Sequence, residues 1–171
     1  ALSCSEKDQE PENDYREMYQ RLKEEEASLR QSLDMYQKLL EEVDDTISEL
    51  TLAGTITYVN HAASKVWGVP REQTVGLNYR TWTDETNRKI AFDNYSTVYK
   101  TGLPRRFTYE IIRADGERRV VEDCGSVIRN DQGAVVGFRS VCRDVTERKK
   151  VEQELAEHRS RLEAIFGSVK E

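Results

Sequence analysis

Between Tyr19 and Leu50, positions spaced alternately three and four apart read Tyr19, Leu22, Glu26, Leu29, Leu33, Tyr36, Leu40, Val43, Ile47 and Leu50. Nine of the ten are apolar or aromatic, and Glu26 is the misfit. Tyr19, Glu26, Leu33, Leu40 and Ile47 fall at heptad a and Leu22, Leu29, Tyr36, Val43 and Leu50 at d, the 3.5-residue repeat of a left-handed coiled coil. Good helix formers fill the positions between, and Asp14 with Glu17 has the spacing of a capping box. A helix of roughly 30 residues is about 45 Å long, and a stripe of that length cannot be buried by its own chain alone. Folding back on the same chain is the alternative, but helices that cover globular cores carry wider apolar faces than two residues per heptad. The expected dimer seam is Leu22, Leu29, Leu33, Tyr36, Leu40, Val43 and Ile47, on a helix over residues 14–46. Residues 1–13, polar, aperiodic and containing Pro11, are expected to form a disordered lead-in.

Charge separates this segment from the rest. Residues 1–50 carry 15 acidic and 6 basic side chains, and residues 51–171 carry 17 and 20. With 37% hydrophobic and 34% charged residues, the chain suits one modest globular domain plus a large solvated segment. A net charge of −6 argues against nucleic acid or an anionic membrane surface as partner. No apolar run approaches the ~18 residues of a membrane span, and no signal peptide is visible, so a soluble segment without direct membrane contact is expected. Cys4, Cys124 and Cys142 are odd in number and form no C-x-x-C pair, which points to a reducing cytoplasm. The first residue is Ala, so a piece of a longer protein is expected.

After Thr51 the period changes. Thr55 to Asn60 alternates like a strand and can form a hairpin with Glu49 to Leu52 across Ala53-Gly54. Residues 61–80 resemble short helices punctuated by Gly68, Pro70 and Gly76. Thr83-Asp84-Glu85 opens a longer helix with Ile90, Ala91, Tyr95 and Val98 on its inner face, stopped by Gly102 and Pro104. Three strands follow, Arg106 to Arg113, Arg118 to Arg129 and Val135 to Val145, turned by Asp115-Gly116 and by Asn130 to Gly133. This order predicts an α+β domain over 47–145: a five-stranded antiparallel sheet with helices on one face. From Thr146 a second helix, over 146–171, places Val151, Leu155, His158, Leu162, Ile165 and Val169 on a four-three spacing, so Leu155 and Leu162 join the expected seam. Asp144 with Glu147 is an Asp version of the capping box at its start.

From about Ile47 to Lys150 these residues resemble the PAS family of sensory modules. The resemblance is carried by Gly54 to Asn60, Ala62 to Gly68, Gly76, Lys100-Thr-Gly102, Arg113 to Gly116 and, most specifically, Gly137 to Lys149 with its Asp144-Val-Thr-Glu-Arg-Lys run. Leu162 to Val169 is similar to the helix that opens a further such domain. The resemblance implies a PAS-like domain from a bacterial multi-domain signalling protein, such as a sensor histidine kinase or a cyclic-di-GMP enzyme, whose catalytic domain lies elsewhere. It implies a non-catalytic sensor and dimerisation module, working as a parallel homodimer, that couples ligand binding or upstream motion to an output domain. A ligand-free scaffold serving only dimerisation and relay is the alternative.

The resemblance also names residues. Gly76 to Arg80 is similar to the segment of flavin photosensors that holds a reactive Cys, and Tyr79 stands at that position; a phenol cannot form the thiol adduct, so photoadduct chemistry is excluded. Haem-binding relatives place an axial His on the long helix, and Thr83 to Thr101 contains none. His61 is expected at a helix start or on the surface. His158 lacks the acidic residue and Pro that follow a kinase phosphoacceptor, and is read as a polar coiled-coil position. Trp67, Trp82, Tyr95, Tyr99, Phe107, Tyr109, Phe138 and Cys142 sit on the elements that line the family's cavity, as core residues or as walls for a small organic ligand. Cys124 and Cys142 are expected as small buried residues rather than a redox pair. Asp144 and Thr146 mark the junction of sheet and exit helix, through which any signal must pass.

Overall fold

The computed structural model describes the backbone of residues 9–168 and the side chains of residues 14–165. The chain divides into two compact units, a helix that ends at Glu42 and a unit that begins at Val43. The helix, α1, spans Gln9–Glu42. It reaches back beyond Asp14 through residues 9–13 of the expected lead-in, so the helix does not start at the Asp14–Glu17 capping box; the rest of the expected lead-in, with Cys4, lies outside the described residues. Tyr19, Leu22, Leu29, Leu33, Tyr36 and Leu40 are all exposed in the single chain. Tyr15, seven residues before Leu22, is exposed too and extends the d series. The seam stops sooner than the heptads implied. Val43 follows the last helical residue, and Ile47 belongs to a strand, because Thr46 to Thr51 alternates inward and outward and finds a sheet edge to pair with.

The second unit runs β1 (Thr46–Thr51), β2 (Ile56–Val59), α2 (Ala63–Trp67), α3 (Arg71–Thr74), a 3₁₀ turn (Tyr79–Trp82), α4 (Glu85–Thr101), β3 (Arg105–Ile112), β4 (Arg118–Arg129), β5 (Val135–Asp144) and α5 (Thr146–Ser168). The strands form one antiparallel sheet in the order β2-β1-β5-β4-β3. Every second residue points to the helices: Thr46, Ser48 and Leu50 of β1, Val121 and Asp123 of β4, and Phe138, Ser140 and Cys142 of β5 are buried. The opposite face holds Glu49 against Arg139 and a two-bond pair between Asp45 and Arg143.

Helices are placed by their ends. Asp84 caps α4, accepting from the Asn87 backbone N–H at 2.9 Å, and Gly102 closes it in the left-handed conformation. Asn87 Oδ1 in turn accepts from the Glu110 N–H at 2.8 Å, which ties the helix start to β3. The Asn87 N–H, followed by the Arg118 guanidinium, holds the Asp84 carboxyl at about 2. Ile90, expected on the inner face, is only half-buried, whereas Ala91 and Val98 are buried as expected and Asn87 joins them. Trp67 and Trp82 stack with centroids 6.0 Å apart in the core formed with Ile56, Val59, Val66, Ile111 and Val121.

Asn60 fixes where β1 begins. Its side chain is fully buried; Oδ1 accepts from the Ile47 N–H at 3.0 Å, and Nδ2 donates to the carbonyls of Asp45 and Val43. Asn60→Ala takes the partner from these three part-buried backbone groups, and a fully buried group left unpaired costs about 1–3 kcal/mol. Urea unfolding followed by tryptophan fluorescence, which reports only on this unit, is expected to show a loss of roughly 2–4 kcal/mol.

Candidate functional site: an aromatic cavity under the sheet

Between α4, the 3₁₀ turn and the inner face of β1 and β5 lies a cavity of about 370 Å³. That volume falls at the low end of the ~300–1,000 Å³ typical of small-molecule sites. Its walls are mostly apolar: Leu50 and Ile56 from the first hairpin, Trp67 from α2, Phe92, Tyr95 and Tyr99 from α4, and Tyr109 and Phe138 from the sheet. Two glycines shape it. At Gly54, with φ +83°, a Cβ would stand 2.6 Å from the Tyr79 ring, and at Gly125 one would stand 2.7 Å from the Tyr95 ring. Each ring occupies space that only glycine leaves open. The Tyr79 hydroxyl is buried and has no hydrogen-bond partner among the described residues.

Tyr95 leans over Gly125 to reach Asp123. Its hydroxyl donates to Asp123 Oδ2 at 2.9 Å, and the Ser140 hydroxyl donates to Oδ1 at 2.7 Å. The ring meets Phe107 and Phe138 edge-on, at 5.5 and 5.1 Å between centroids. Asp123 is 1% exposed, so desolvation dominates and raises its carboxyl to about 6, against the pull of the Ser140, Tyr95 and Tyr109 hydroxyls. Burial likewise pushes the Tyr95 and Tyr109 hydroxyls and the Cys142 thiol upward.

At the far end of β5 the chain passes into α5 through a second polar cluster. The Thr146 hydroxyl accepts from the Val120 N–H of β4 at 2.9 Å and donates to Asp144 Oδ1, which also accepts from the Thr146 N–H. Asp144 Oδ2 faces Arg119 Nη1 at 3.4 Å. Glu147 does not close the expected capping box, because it pairs with Lys150 at 2.9 Å; Asp144 caps the helix alone.

Six of the eight expected wall residues, Trp67, Tyr95, Tyr99, Tyr109, Phe138 and Cys142, meet at the cavity. Trp82 and Phe107 do not: Trp82 lies behind Trp67 as its stacking partner, and Phe107 is packed against Tyr95 and Tyr109. Cys124 is half-buried and sits across from Val141, while Cys142 sits across from Asp123; the two thiols face opposite sides of the sheet and both are free. His61 and His158 are exposed, and Leu155 and Leu162 are exposed along α5; Val169 lies outside the described residues. Asp123, Ser140 and Gly125 were not anticipated. Their signal was present: in a strand that alternates apolar and polar, Asp123 and Gly125 occupy the phase of Val121, which faces the core.

The PAS domain family model matches residues 44–147. No curated protein matches the chain. Among solved structures, the PAS domain of a protein from Colwellia psychrerythraea is similar at 22% identity and TM-score 0.62, over 67% of this chain and 98% of that one. A sensory box histidine kinase/response regulator from Burkholderia thailandensis gives 16% and 0.61 over 75% and 98%. The PAS domain of an HTR-like protein from Haloarcula marismortui gives 22% and 0.59 over 71% and 98%. At these identities the likeness speaks for the fold alone.

A carboxyl raised on folding binds protons more tightly in the native state, so its contribution is full below pH ~4 and is lost as pH rises through about 6. Asp123→Asn removes that dependence. Relative to the parent chain, the variant is expected to gain on the order of 2–3 kcal/mol in unfolding free energy between pH 4 and pH 7, measured by urea titration at each pH. A flat difference would mean that Asp123 is not desolvated in solution.

Proposed function

The chain belongs to the PAS domain family, and from that premise we propose that it is a non-catalytic sensor and dimerisation module of a bacterial, cytoplasmic signalling protein of the two-component kind. In this reading the cavity under the sheet binds a small organic ligand, and its occupancy, or motion arriving along α1, is passed to an output domain through α5. The observation that carries it is the spacing along β5: Ser140 and Cys142 line the cavity, and Asp144, two residues further on, holds the start of the exit helix. The partnerless Tyr79 hydroxyl supports a ligand as well, since a buried donor left unpaired costs about 1–3 kcal/mol that an occupant's oxygen would recover.

The exposed stripes of α1 and α5 support a parallel homodimer. In the α1 heptads, Arg16, Lys23 and Arg30 occupy e, while Glu25 sits at g. A parallel pair places Glu25 opposite Arg30 of a second copy, the g-to-e′ contact that selects partner orientation. An antiparallel pair would set the e-position cations against one another. Leu29→Glu combined with Leu33→Glu is expected to turn a dimer into a monomer in sedimentation velocity at about 20 μM, while the tryptophan-monitored unfolding midpoint stays unchanged. A parent chain already monomeric at that concentration would overturn the dimer reading.

The relay is tested at the junction. In a full-length parent, Asp144→Ala with Thr146→Ala is expected to uncouple output from its stimulus while the dimer persists, because the first change removes a cap worth about 1 kcal/mol, comparable with the bias that shifts a two-state helix pair, and the second removes the tie to Val120. Unchanged signalling would leave the junction with capping alone. Native mass spectrometry that finds the cavity empty, with no ligand stabilising the fold in a thermal-shift screen, would favour a ligand-free scaffold.

A further inference from the structure

We propose that the cavity takes a small apolar carboxylate, with its body among the aromatic rings and its anionic group at the mouth between Arg80 and Lys100. This deepens the ligand-site reading above and rests on it. The residues that line the cavity include no Asp or Glu; their only charges are Arg80 and Lys100, both exposed. Residues 51–171 carry 17 acidic side chains, and none of them is in this lining.

These two cations are also distinguished by what they lack. Among the described residues from Val43 to Lys150, every other Arg and Lys side chain bonds a carboxylate or an oxygen of the chain: Lys65, Arg71, Lys89, Arg106, Arg113, Arg118, Arg119, Arg139, Arg143, Arg148, Lys149 and Lys150 through ion pairs, and Arg88, Arg105 and Arg129 through hydrogen bonds. Arg80 only lies over the ring of Tyr79, at 6.0 Å, and Lys100 has no anionic partner. Among the described residues no carboxylate answers either cation, which leaves both open to an anion from a ligand.

The two ends of the cavity orient the ligand. Asp123, a carboxylate that already accepts from Tyr95 and Ser140, lies behind the inner wall and repels a second anion there. At the mouth, Leu52, Phe92 and Tyr99 are each about half exposed, so the apolar surface continues outward to the cations. An amine in the same place would meet two like charges, and a wholly neutral molecule would leave both unanswered.

The test titrates the full chain with 4-phenylbutyrate, 4-phenylbutanamide and 4-phenylbutylamine, which share one body and differ in charge. The readout is fluorescence of Trp67, in the wall, and Trp82, stacked on it. The carboxylate is expected to bind about fivefold or more tighter than the amide, and the amine weakest. That margin should shrink as salt rises from about 0.05 M to about 1 M, because the mouth is open to counter-ions. Arg80→Gln and Lys100→Gln should each weaken the carboxylate about two- to fivefold, and together bring it close to the amide's affinity, with the amide itself weakened less. If the carboxylate and the amide bind alike, or if the double variant binds the carboxylate unchanged, the anionic assignment falls and the ligand site stands. If none of the three perturbs the fluorescence or the melting temperature, both fall together.

Discussion

A carboxylate taken out of water at the centre of a sheet has to be solvated by the protein, and the groups that solvate Asp123 decide how the domain is assembled. Ser140 comes from the neighbouring strand, and Tyr95 comes from the middle of α4, 28 residues away in sequence. The tyrosine reaches the carboxylate only by crossing the backbone of β4, and Gly125 is the residue that lets it cross. One desolvated acid thereby fixes the height of α4 above the sheet. The helix start is held separately, by Asn87 on the Glu110 N–H, so α4 is pinned to β3 and β4 at two points along its length. The cavity is the space this pinning leaves: α4 is held over β3 and β4, and the region beside it, above β1 and β5, is walled by rings rather than filled by them.

The same two strands that share Asp123 also share the exit. Ser140 bonds Asp123 between β5 and β4, and Thr146 bonds Val120 between the start of α5 and β4. The Val145 N–H adds a backbone bond to the Val120 carbonyl at 2.9 Å. The first turn of α5 is thus held by the edge of β4 as well as by its own strand, and a displacement of β5 relative to β4 alters both clusters at once. Contiguity of this kind supplies a physical route for coupling; the coupling itself is a free energy that only a perturbation at one end, read at the other, measures.

Local chemistry was legible in the sequence where one residue type does one job. Asp84 and Gly102 bracket the long helix as anticipated, and Asp115-Gly116 and Asn130 to Gly133 set the turns, because caps and left-handed positions admit few residues. The boundary near residue 43 was misread for a physical reason. The heptad spacing runs on through Val43, Ile47 and Leu50, but residues three apart in a strand face opposite sides, so Ile47 turns away from the buried Leu50, and pairing with β5 rather than periodicity decides the structure there. The aromatic walls could be named from the elements they sit on, but which ring faces the cavity and which stands behind another depends on packing between distant segments, as Trp82 behind Trp67 shows. Asp123 was overlooked although its phase in β4 marked it as inward, because its partners Tyr95 and Ser140 lie far off in sequence.

Glu26 is the remaining departure from pattern, and its surroundings give it a physical rationale. At heptad a it would meet its own copy across a parallel seam, the least favourable place for an acid. Within the helix it faces Arg30 one turn on, at 3.8 Å, with both side chains exposed. Lys23 and Arg30, at e on either side, supply positive charge along the same edge of the stripe. An acid at a costs stability in such a pair, and the cations at e on either side offset part of that cost. Leu29, Leu33, Tyr36 and Leu40 would give the pair its cohesion.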